Sequence, residues 1–78
     1  MPRYYFDVYD GALGKDEEGI VLPNSNAAFA EAIRAAKELA AAEEADGEVG
    51  SDHRIDVRDE SGRTFATVFF REAFRIAS

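Results

Sequence analysis

The chain has 78 residues and a formal charge of −7, from 16 acidic against 9 basic side chains, with no cysteine and one histidine, His53. This length holds one domain, residues 1–78, with a modest core, and the missing thiols exclude disulfides and thiolate metal sites. The charge opposes a phosphate backbone, so direct nucleic-acid binding is not expected; no apolar run approaches membrane-spanning length, and Met1-Pro2-Arg3-Tyr4 lacks the apolar region of a secretory leader, so the expected location is the cytoplasm.

Arg3 to Tyr9 reads as the first strand, because aromatic and β-branched residues dominate it. Alternation puts Tyr4, Phe6 and Val8 on the core face and Tyr5, Asp7 and Tyr9 on the other. Asp10-Gly11 opens a loop through Gly14-Lys15, and Gly19 to Leu22 is a shorter strand stopped by Pro23. The two strands predict an antiparallel pair with a long connection.

Ala27 to Glu44 is an amphipathic helix. Ala28, Phe29, Ala32, Ile33, Ala36, Leu39 and Ala40 share one arc, with Glu31, Arg34, Lys37 and Glu38 opposite. Asn24 is the expected N-cap, with Asn26 second, and Gly47 is the expected left-handed terminator. Alanine buries little area, so Phe29, Ile33 and Leu39 are expected to carry much of the docking, at roughly 1.5–3 kcal/mol each. Glu31–Arg34 and Arg34–Glu38 pairs along the outer face add only about 0.2–0.5 kcal/mol each.

A polar loop, residues 47–52, leads to a strand over His53–Arg58, with Ile55 and Val57 inward and Arg54, Asp56 and Arg58 outward. Asp59-Glu60-Ser61-Gly62-Arg63 is a hairpin turn in which Gly62 supplies a positive φ. Thr64 to Phe70 is the fourth strand, apolar on both faces. A two-residue turn at Ser61-Gly62 would point Ala66, Val68 and Phe70 inward. A three-residue turn ending on Gly62 with a bulge would point Phe65, Thr67 and Phe69 inward, since a one-residue slip turns the strand over. The first register is preferred. Residues 71–77 extend the strand or form a short helix, and the spacing of Phe70, Ala73, Phe74 and Ala77 favours the helix.

The expected fold is α+β in the order β-β-α-β-β: a four-stranded, mainly antiparallel sheet, one long helix on one face and a short C-terminal helix. The other face would carry Tyr5, Tyr9, Phe65 and Phe69, the candidate interaction surface. Either the C-terminal segment or a second copy would have to cover it.

Several stretches together resemble one family. They are the opening Met1-Pro2-Arg3-Tyr4-Tyr5-Phe6, then Asp10-Gly11, Asp16-Glu17-Glu18-Gly19, Leu22-Pro23 before an Ala/Glu/Arg helix, and Val57-Arg58-Asp59-Glu60-Ser61-Gly62-Arg63. The chain resembles a family of short bacterial proteins that open M-P-R-Y-F-F and carry D-E-x-G and D-E-x-G-R, a domain of unknown function. That resemblance implies no activity, cofactor or site residue. A second likeness, of architecture alone, is to the antidote half of HicA/HicB-type toxin–antitoxin pairs. The proline-aspartate-leucine-proline-glycine loop of those antidotes is missing here.

The acidic group Asp7, Asp10, Asp16, Glu17 and Glu18 reads as solvated turn residues; its spacing does not fit the calcium-loop pattern, though oxygen ligation of a hard cation is the alternative. His53 reads as a solvated loop side chain. Gly11, Gly14 and Gly19 make no phosphate-binding motif, and the serines have no recognisable histidine partner. No catalytic, cofactor or metal residue is assigned, and no cofactor is expected. Three functions remain: a non-enzymatic interaction module that self-associates or binds a protein partner, an acidic antidote-like partner of a basic protein, and a small-ligand or metal binder.

Overall fold

In a computed structural model of the protein, which describes residues 1–76, the elements run β1 (Arg3–Tyr9), β2 (Leu13–Gly14), β3 (Ile20–Val21), α1 (Ser25–Ala45), β4 (Arg54–Arg58), β5 (Thr64–Phe69) and α2 (Phe70–Ile76). The class is the expected α+β, and all sheet pairs are antiparallel. The sheet has five strands rather than four, in the order β2-β1-β4-β5, with β3 also pairing β1. The additional strand is the two-residue β2, which pairs with Val8 and Tyr9. Two exposed residues carry no alternation to read; their extended shape comes from the partner strand. Among the described residues no helix is long and apolar enough to cross a membrane.

The expected N-cap forms: the Asn24 side chain accepts from the Ala27 N–H at 2.9 Å. Gly47, at φ +141°, follows the C-cap Asp46. Arg34 bridges Glu31 and Glu38 on the outer face. The buried stripe differs from expectation. Ala28, Ala32, Ala36 and Ala40 are wholly buried, whereas Phe29 is 44% and Leu39 37% exposed; only Ile33 of the three larger side chains packs against the core. The reason is axial. An i, i+4 row slopes across the helix, so the line of contact moves round the cylinder as it advances. Phe29 at one end and Leu39 at the other share the averaged arc but lie beside that line. Docking therefore rests on close backbone approach over four alanines, against Ile55, Val57 and Val68.

The β4–β5 hairpin combines both anticipated registers. The Asp59 N–H donates to the Arg63 carbonyl at 2.9 Å, and the Gly62 N–H donates to the Asp59 carbonyl at 3.0 Å. Glu60, Ser61 and Gly62 (φ +90°) thus form a three-residue turn. Arg58 pairs with Thr64, but Val57 pairs with Ala66, leaving Phe65 as an extra residue in β5. That bulge restores the preferred facing, with Val68 and Phe70 buried.

Helix α2 follows β5 without a loop, buries Phe70 and Ala73, and packs on α1. It is the short helix expected over 71–77, starting one residue earlier; Ala77 lies outside the described residues. Both helices therefore lie on one face of the sheet, and α2 does not cover the other.

Candidate interaction surface

Strand β1 has one side on β4. Its other side meets β3 at Tyr4 and β2 at Val8. Between them lies Phe6, whose N–H points the same way because alternate residues of a strand share a direction. Asp16, in the loop joining β2 and β3, fills this gap: its Oδ2 accepts the Phe6 N–H at 3.0 Å. Its Oδ1 accepts from Gly19 at 3.1 Å and Glu18 at 3.2 Å. One carboxylate thus completes the ladder and folds its own turn. Gly19 allows the approach, with φ +69° and a Cβ position that would fall 2.7 Å from the Tyr4 carbonyl oxygen.

Asp7 anchors this loop from the sheet. It is 9% exposed, and its Oδ1 accepts the Asp16 N–H at 2.9 Å. Arg58, across the β1–β4 pair, donates from Nε to Asp7 Oδ2 at 2.6 Å, and from Nη2 to Asp7 Oδ1 at 3.1 Å and the Asp16 carbonyl at 3.0 Å. Burial pushes the Asp7 carboxyl up; the Arg58 hydrogen bond, the Asp16 N–H and the Arg58 charge outweigh it and hold it below the ordinary range. Burial likewise raises Asp16, and the N–H groups of Phe6, Gly19 and Glu18 bring it below that range. Asp7 and Asp16 are therefore structural acceptors, not the solvated turn residues expected. Among the described residues no group of three acidic or histidine side chains is placed to hold a metal ion.

The sheet face away from the helices carries Tyr5, Tyr9 and Phe69, three of the four candidate residues. Phe65 is not among them. The bulge turns it to the helix side, where its ring meets Tyr4 edge-on at 5.8 Å. The outer aromatics are not left bare. The Arg58 guanidinium carbon lies 4.9 Å from the Tyr5 ring centre, and that of Arg54 lies 4.8 Å from the Tyr9 ring centre. Arg54 also pairs with Asp56 at 3.3 Å, and Asp56 accepts from the Thr67 hydroxyl at 2.8 Å. Among the outward side chains of β1 and β4, two arginines balance two aspartates, Asp7 and Asp56, with Asp16 and Lys15 close to the Asp7–Arg58 pair.

His53 is not a solvated loop side chain. Its Nδ1 lies 2.5 Å from Glu43 Oε2, and Glu43 Oε1 accepts the Gly50 N–H at 3.0 Å. Its ring meets Phe70 and Tyr9 edge-on at 5.9 and 6.5 Å. A Cβ at Gly50 would stand 2.5 Å from that ring. The pair ties the end of α1 to the start of β4.

On the far side of the sheet, β5 is an edge. The Phe70 N–H donates to the His53 carbonyl at 3.0 Å, which fixes the direction of the groups preceding it. Val68 and Ala66 face β4, so the N–H and C=O groups of Thr67 and the N–H of Phe69 face outward, while the Phe69 carbonyl opens the first turn of α2. Among the described residues no strand or loop pairs with them. Thr64-Phe65-Ala66-Thr67-Val68-Phe69 contains no charge and no proline, two of the devices that blunt an edge, and its one irregularity is the bulge at Phe65. Sequence reading missed both the Asp7–Arg58 pair and this edge. The only signals were an acid and a base at outward positions of two separate strands, and an uncharged run apolar on both faces. No curated protein and no solved structure matches the chain. The model of the family described as Domain of unknown function (DUF6894) matches residues 3–71, and the chain belongs to that family.

Proposed function

We propose that the protein is a small non-enzymatic interaction module that works as a self-associated pair. The observation that supports it is the one-sidedness of the sheet: both helices pack on a single face, and among the described residues no strand pairs with the outer edge of β5. The side chains with chemical capacity support the same reading. Asp7 and Asp16 are engaged in holding the β1 edge, and His53 is engaged by Glu43. The partner is a second copy, which meets the charge requirement at the sheet. A chain at −7 repels its own kind, and the uncharged edge strand β5 offers the approach with least opposition.

Light scattering across a concentration series, at low and high salt, tests this. The expected mass is that of a dimer at high concentration, holding or strengthening as salt screens the acidic surfaces. A monomer mass at every concentration and salt would overturn the proposal.

A further inference from the structure

Resting on that self-association, we infer that the seam is β5 itself: two copies pair antiparallel along residues 65–69 about a two-fold axis at Thr67, making one continuous sheet. The outward N–H and C=O groups of Thr67 and the outward N–H of Phe69 are the groups that find partners. With Thr67 opposite its own counterpart, the N–H of each Thr67 donates to the carbonyl of the other, and Phe69 of each copy lies opposite Phe65 of its neighbour.

Three observations favour this over a dimer that stacks the two outer faces. The outer face is already closed, since Arg54 and Arg58 lie over Tyr9 and Tyr5 and are themselves tied to Asp56 and Asp7. Stacking would bury those four charges. The β5 edge instead holds bare backbone groups, which only another extended backbone satisfies in series. A second copy suits that edge because β5 carries no ionisable residue: its exact counterpart can lie beside it with no like charges opposed, although both chains are acidic. The two-fold axis stands perpendicular to the sheet, so the helices of both copies fall on one side and the two outer faces join on the other.

Thr67→Pro is the discriminating variant. Its N–H points away from β4, so proline removes a donor the single chain does not use. The wild-type mass is measured first by light scattering, and a monomer there defeats the self-association proposal and this inference together. Given a wild-type dimer, Thr67→Pro should weaken it on the order of a hundredfold, because two symmetric copies of the contact are lost. Tyr9→Ala should change dimer affinity by less than about threefold, since a side chain outside the seam contributes little. A Thr67→Pro dimer as tight as wild type, or a Tyr9→Ala chain that falls to monomer, would place the interface elsewhere while self-association stands. If the circular dichroism of Thr67→Pro shows a lost fold, Thr67→Lys replaces it. That variant keeps the N–H and sets two cations near the seam, so its dimer should weaken at low salt and recover at high salt. A Thr67→Lys dimer indifferent to salt and as tight as wild type overturns the seam.

Discussion

The two edges of the sheet are built in opposite ways. The β1 edge is closed from within: β3 pairs with Tyr4, Asp16 takes the Phe6 N–H, and β2 pairs with Val8. The fourteen residues 10–23, which include β2 and β3, serve that closure. Among the described residues the β5 edge receives no strand or loop and carries only the bulge at Phe65, although its residues are the more strand-prone. A chain that spends a buried carboxylate on one edge and leaves the other uncharged has one edge for its own fold and one for a neighbour.

The largest loss is expected where the closed edge is anchored. Asp7→Ala leaves Arg58 without its partner at the sheet centre and frees the Asp16 N–H; it should cost about 3 kcal/mol, read as a lower urea midpoint with an unchanged slope. Asp16→Ala should cost about 2 kcal/mol, because the Phe6 N–H loses its acceptor while the Gly19 and Glu18 donors can turn to water. Gly19→Ala should cost about 1–2 kcal/mol in the same experiment, since a Cβ is strained at φ +69° and meets the Tyr4 carbonyl.

Acid should open the same edge. Asp7 and Asp16 both titrate below the ordinary 3.8 when folded, so the unfolded chain takes up protons first as pH falls. The stability they supply is complete above the unfolded value and is lost as pH falls through the folded ones. Thermal melts from pH 6 downward should therefore show a decline that is shallower in Asp7→Ala. A wild-type decline no steeper than the variant's would contradict the anchoring role. The smallest effect is expected at the open edge: in the monomer, Thr67→Lys should change stability by less than about 0.5 kcal/mol.

What the sequence disclosed follows the reach of each interaction. The helix, its Asn24 cap and the Gly62 turn depend on neighbours a few residues away, and they were legible. The alternation of β1 and β4 correctly put Tyr5 and Tyr9 outward. The Asp7–Arg58 pair joins residues 51 apart, and the role of Asp16 depends on where its loop crosses β1. Neither has a local pattern. Phe29 and Leu39 misled because a helical wheel projects away position along the axis. Phe65 misled because the bulge falls at Phe65 itself, beyond the turn, so that it and Ala66 both face the helices. Only the pairing with β4 reveals where the bulge sits.

Amide hydrogen exchange at single-residue resolution, run at several protein concentrations, tests the contrast between the edges most directly. The Phe6 N–H should be protected at every concentration, because its acceptor belongs to its own chain. The Thr67 and Phe69 N–H groups should exchange freely in dilute solution and become protected as concentration rises. Protection of Thr67 and Phe69 that does not depend on concentration, or free exchange at Phe6, would contradict the account.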